Sequence, residues 1–93
     1  MPLSVTIDSV TLAGSMGVQV SGSGSPNAAV VAIKVQITGG GSGNGESVTN
    51  NGQWATTVMI PNVHTGQTGT ATATITSSQF PGQSAQGQKN FTL

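Results

Sequence analysis

The chain has 93 residues, a formal net charge of zero and four charged side chains, Asp8, Lys34, Glu46 and Lys89. At 4% charged residues, against roughly 25% in ordinary soluble domains, it holds too few ionisable groups for most catalytic constellations, and no basic stripe for nucleic acid or an anionic membrane. With no Cys, no Arg, no Tyr and one His, it also lacks a disulfide staple, a thiolate and the makings of a zinc shell.

Residues 1–93 are expected to form one domain, which at this length must be stabilised by efficient packing or by assembly. Zero net charge removes the repulsion that disperses free proteins, so a homo-oligomer is open to it. Met1-Pro2-Leu3-Ser4 leads straight into alternating residues without the basic, apolar and small-residue tracts of an export signal, so synthesis without one is expected. The longest apolar run, Ala28 to Ile33, stops at Lys34, well short of a membrane span.

Period-two alternation recurs along the chain and helical periodicity does not, which predicts an all-β fold. Val5 and Ile7 alternate with Thr6 and Asp8, after which Val10 and Leu12 continue on the opposite parity. A bulge or kink at Asp8-Ser9 is expected, letting the first strand change sheets. Met16, Val18 and Val20 make a second strand, closed by the turn-forming run Gly22 to Asn27. Val31, Ile33, Val35 and Ile37 make the third and most apolar strand, with Lys34 and Gln36 on its other face.

Gly39 to Gly45, rich in Gly, Ser and Asn, predict an exposed, mobile loop. Asn51-Gly52 then supplies the positive-φ pair of a type I′ turn, which predicts a tight hairpin between Ser47-Val48-Thr49 and Trp54-Ala55-Thr56. Trp54, Thr56, Val58 and Ile60 fall on one face of it. After a connection over Pro61 to Gly69, Ala71, Ala73 and Ile75 alternate with Thr70, Thr72, Thr74 and Thr76 as another strand. A second connection, Gln79 to Gly87, contains Phe80-Pro81-Gly82 and leads to a last strand on which Lys89, Phe91 and Leu93 share a parity. About seven short strands separated by turns predict a two-sheet sandwich. Val18, Val20, Ile33, Val35, Trp54, Val58, Ile75 and Phe91 are its expected core.

Four stretches, Val18 to Gly22, Ala32 to Ile37, Asn51 to Val58 and Gly69 to Ile75, together resemble a bacterial or phage immunoglobulin-like (Big-type) domain of the kind found in surface repeats and virion proteins. The resemblance covers nearly the whole chain and implies an Ig-like β-sandwich of about seven antiparallel strands in two sheets. Calcium-binding members of this group carry several Asp residues in their loops, often one just past the Thr-Ala-Thr strand. Thr76-Ser77-Ser78 stands there instead, so no calcium site is carried over. The disulfide and tyrosine corner of antibody domains are missing as well.

Residues that could carry chemistry do not assemble into a motif. His64, Asp8 and the serines lack a Gly-x-Ser-x-Gly elbow, and the runs Gly22 to Ser25 and Gly39 to Gly43 are followed by neither a helix nor a P-loop lysine. Nothing in the strand order brings Asp8 and Glu46 together as paired carboxylates. The parity of Trp54 points inward, away from a sugar platform, whereas Phe80 sits in a connection as an exposed anchor or a plug for one end. The Thr70 to Thr76 rank is read as β-propensity on a solvent face, because matched ranks on the neighbouring strands are not expected. No enzyme activity, cofactor or metal is expected.

The resemblance and the near-absence of charge together imply a non-enzymatic structural protein, a small Ig-like decoration or cement protein on a phage virion surface. Its partner would be the major capsid protein or another virion protein. The alternative is a carbohydrate-binding or adhesion module of a bacterial or phage surface protein, at the bacterial cell surface or extracellular, with weak binding to a cell-surface glycan. Neither nucleic acid nor membrane is an expected partner. Contact is expected through loops at one end of the sandwich or through an edge strand, with little ionic contribution. Gly39, Gly40, Ser42, Asn44, His64, Gln67 and Phe80 are the candidate binding-loop residues.

Overall fold

The computed structural model describes residues 3–14 and 16–93; Met1 and Pro2, where the reading of an absent export signal begins, and Ser15 lie outside them. Seven strands follow in chain order: β1 (Ser4–Leu12), β2 (Gly17–Ser25), β3 (Val30–Ile37), β4 (Ser42–Val48), β5 (Gln53–Met59), β6 (Thr68–Thr76) and β7 (Ala85–Thr92). They form two antiparallel sheets, β1-β2-β5 and β4-β3-β6-β7. This is the all-β sandwich predicted from the alternation, measuring 38 × 21 × 16 Å.

Alternation puts every second side chain of each strand into the space between the sheets. One sheet contributes Val5, Ile7, Val10, Val18, Val20, Trp54 and Val58; the other contributes Val31, Ile33, Val35, Ile37, Ala71, Ala73, Ile75 and Phe91. Leu3, Ala29, Ile60 and Val63 close the same core, and Phe80, Ala85 and Leu93 lean on its rim. Each fully buried Val or Ile stabilises the fold by about 1.5–3 kcal/mol relative to exposure, which carries a chain without disulfides. Phe80, half-buried, plugs one end of the sandwich.

Four local expectations change on folding. The bulge is present, since Ile7 pairs with Gly22 and Ser9 with Ser21, leaving Asp8 as the extra residue. β1 nonetheless stays beside β2 from Ser4 to Leu12, and the bulge serves to re-aim Val10 at the core rather than to switch sheets. β2 does not close at Gly22 but runs on to Ser25. A Cβ on Gly22 would strike the Thr6 carbonyl oxygen and stand 2.7 Å from the Trp54 ring, so glycine there seats the indole and is no sign of a turn. Only the start of Gly39 to Gly45 is a turn; Ser42–Val48 pairs along β3 as an edge strand. A Cβ on Gly43 would meet the Met59 carbonyl oxygen and lie 2.8 Å from Val58, so the glycine lets β4 ride directly on β5. β7, finally, starts at Ala85, ahead of the predicted end of its connection at Gly87.

The Asn51-Gly52 turn has the expected backbone, with φ of 54° and 80°, closed by hydrogen bonds from Asn50 N to Gln53 O (2.8 Å) and from Gln53 N to Asn50 O (3.1 Å). It does not make a hairpin within one sheet. β4 goes to β3 and β5 goes to β2, so the turn carries the chain from one sheet to the other. Thr49 explains the parting. Its N–H donates to Ala29 O (3.0 Å) and its carbonyl accepts from Ala28 N (2.9 Å), which prolongs the β3–β4 ladder to the last residue before the turn. Its hydroxyl, in a residue only 3% exposed, accepts from Ala29 N (2.9 Å) and donates to Pro26 O (2.6 Å).

Thr49→Val keeps the side-chain shape but leaves two main-chain groups without their partner. It is expected to lower stability by about 1–3 kcal/mol, read as a fall in the urea midpoint at unchanged slope. An unmoved midpoint would contradict this role for the hydroxyl.

Candidate functional site

The acid–base side chains are dispersed. Asp8 lies exposed at the β1 bulge, its Oδ2 accepting a hydrogen bond from Ser23 Oγ at 3.3 Å. Glu46 is exposed on β4, in the opposite sheet, and His64 is in the β5–β6 connection with Nδ1 3.2 Å from Thr65 O. Among the described residues no group of three or more His, Asp or Glu gathers where a metal ion could sit. Trp54 is 3% exposed, and its Nε1–H donates to Ser23 O at 3.0 Å. Burial and this bond occupy both the apolar face and the polar edge of the indole, leaving neither for stacking on a sugar.

The candidate loop residues divide among three places. Gly39 and Gly40, in the β3–β4 turn, share one end of the sandwich with His64 and Gln67, because Thr38 N–H donates to Thr68 O (2.9 Å) at the mouth of the two connections. Within the second connection His64 N–H donates to Gln67 Oε1 (2.9 Å), and Leu93 N–H donates to Gln67 O (2.8 Å). Ser42 and Asn44 are not in a loop; they are exposed on the edge strand β4. Phe80 lies in the β6–β7 connection, at the opposite end, set against the core.

Three large apolar residues stand exposed at the first end, two of which, Leu12 and Met16, the alternation pattern had placed on strands. Met16 and Met59 are each 62% exposed and Leu12 38%, and Ile60 N–H donates to Met16 O (2.9 Å), tying the β1–β2 connection to the end of β5. Met16 was expected inside the second strand. It precedes β2 instead, where no facing strand covers it. The signal for Met59 was available, since it shares the outward parity of Gln53, Ala55 and Thr57 against inward Val58.

The outer face of the four-stranded sheet is built in rows. Ser42, Gln36, Thr70 and Asn90 form one row; Asn44, Lys34, Thr72 and Gln88 form the next; Glu46, Ala32, Thr74 and Gln86 form a third. The threonine rank therefore does have matched neighbours, as amides rather than threonines. Thr70 Oγ1 donates to Asn90 Oδ1 (2.9 Å), Gln88 Nε2 to Thr72 Oγ1 (3.3 Å) and Gln86 Nε2 to Thr74 Oγ1 (3.2 Å). The short side chain of Ala32 leaves a groove of about 680 Å³, walled by Lys34, Glu46, Thr74 and Gln86.

Comparison with protein-family models, curated proteins and solved structures finds no match to this chain. The chemistry of its own surface is what remains to indicate function, and that surface has few charges, is rich in amides and hydroxyls, and carries exposed apolar side chains at both ends, Leu12, Met16 and Met59 at one and the paired Val30 and Val48 at the other.

Trp54→Ala removes the largest core side chain together with its hydrogen bond. It is expected to cost about 3–5 kcal/mol and to lower Tm by more than ~12 °C in a domain of this size, rather than to abolish a surface function selectively. A Tm within a few degrees of the parent would contradict the placement of the indole.

Proposed function

We propose that the chain is a non-enzymatic structural protein, an Ig-like decoration or cement module on the surface of a phage virion that docks on the major capsid protein. The observation that carries this proposal is the end of the sandwich where Leu12, Met16 and Met59 stand exposed beside the neutral turns at Gly39-Gly40 and His64 to Gln67. Apolar area ringed by uncharged hydrogen-bonding groups suits contact with another protein surface, and a docked partner would cover side chains that water otherwise meets. The four charges lie elsewhere: Asp8 at the bulge, Lys34 and Glu46 on the outer face of β3 and β4, and Lys89 on β7. Docking at this end therefore has little ionic content.

A second reading, a carbohydrate-binding or adhesion module, is favoured by the rows of amides and hydroxyls and by the groove over Ala32. The burial of Trp54 weighs against it, since no indole face is offered to a sugar ring. Glycan-array binding that Ala32→Phe abolishes by filling the groove would support this reading over the first.

The test of the first is sedimentation of source particles with this protein tracked through the gradient. Co-migration at fixed stoichiometry to the main shell protein, unchanged between ~0.1 and ~1 M salt, is the expected result. Met59→Glu should reduce occupancy at least ~10-fold by placing a carboxylate against an apolar contact, while the isolated protein keeps its stability within ~0.5 kcal/mol. Recovery only as free monomer, or release by salt, would overturn the proposal.

A further inference from the structure

The sheet-crossing turn carries a reactive dipeptide whose geometry has a consequence independent of any binding partner. Asn51 is exposed, and Gly52 carries no side chain and has no atom beyond its two chain neighbours within 4 Å of where a Cβ would stand, so no side chain at that position shields the Asn51 carboxamide. In a two-residue turn the closing hydrogen bonds are made by the flanking residues, here Asn50 and Gln53, which leaves the Gly52 N–H without a partner in the turn itself. It is not bare, however. It donates to Asn27 Oδ1 at 3.0 Å, across from the β2–β3 connection, while the Gly52 carbonyl accepts from Gly24 N at 3.0 Å. The amide that would have to react is thus held by Asn27 of the β2–β3 connection, and the peptide unit after it is held by Gly24 at the end of β2.

We infer that Asn51-Gly52 is a site of covalent self-modification by deamidation, held shut in the folded protein by Asn27. In the open reaction a base removes the Gly52 amide proton and the nitrogen attacks Asn51 Cγ. The new N–Cγ bond closes a cyclic imide as the Cγ–Nδ2 bond breaks, and the nitrogen leaves as ammonia after taking up a proton. Water then opens the imide at either carbonyl, giving aspartate, or isoaspartate with the main chain rerouted through the side chain. Asn27 Oδ1 opposes the first step because its hydrogen bond stabilises the protonated amide and must be given up before the nitrogen can attack. When the site opens, isoaspartate adds a methylene to the main chain at the point where it crosses between the sheets, and either product adds a charge to a nearly uncharged surface.

The chain contains its own reference, since Asn44-Gly45 lies in β4, where Asn44 is exposed and Asn27 plays no part. The experiment incubates the full chain and its variants Asn27→Ala and Asn27→Asp at mildly alkaline pH, then follows by peptide mapping the mass gain of exchanging NH2 for OH at each site. Asn27→Ala is expected to accelerate conversion at Asn51 by about two- to tenfold, the range spanned by one neutral hydrogen bond, without changing Asn44. Asn27→Asp, which keeps an acceptor oxygen, should stay as slow as the parent. Equal rates at Asn51 in the parent and Asn27→Ala would overturn the inference, as would parallel acceleration of Asn44, which would mark general unfolding instead of a local guard.

Discussion

Thr49 makes four hydrogen bonds to three residues of another connection, and the rest of the sandwich is arranged around that constraint. By fastening to Pro26, Ala28 and Ala29 it commits the end of β4 to β3, so the following two-residue turn must deliver β5 to the other sheet. Gln53 and Trp54 then align with Ser23 and Gly22 of β2, and the indole comes to rest over a glycine with its N–H on Ser23 O. One buried hydroxyl thereby links strand order to the seating of the largest core side chain. A buried hydrogen-bonded network of this kind disfavours alternative pairings because each would strand several polar groups.

The same constraint accounts for what could and could not be read from the sequence. Strand count, sheet faces and the core from Val18 to Phe91 follow from alternation, a local property that tertiary packing reinforces. Gly22, Gly43 and Gly45 misled because glycine has two uses with one signature: it bends a turn, and it lets one backbone approach another. Only the partner distinguishes them, and the partners, Thr6, Trp54 and Val58, are remote in sequence. Asn51-Gly52 announced its turn correctly, but the sheet each flank joins is decided by Thr49, whose partners lie twenty or more residues earlier. Of the candidate site, the turns at Gly39 and His64 were legible as polar connections. Met59 was legible too, from its outward parity on β5, but Met16 was not, because it satisfies the alternation rule and loses its cover only through the position of β2.

A fold that is stabilised through its core and its clasp leaves the surface free to be nearly uncharged. That freedom has a cost in solubility, since little repulsion separates free copies. Under the docking role we propose, that cost falls away, because contact area and hydrogen bonding would decide attachment and long-range attraction would contribute little. Asp8, Glu46 and His64 lie dispersed over separate elements of that surface.

Native-state hydrogen exchange tests the central claim most directly, because it reads the clasp amide by amide in the intact protein. The N–H groups of Ala28, Ala29 and Thr49 are predicted to exchange as slowly as those of the central strands β2 and β3, opening only with global unfolding. Exchange at the rate of the exposed turn residues Gly39 and Gly40 would show that the two connections come apart on their own, and that the strand order is held by something other than Thr49.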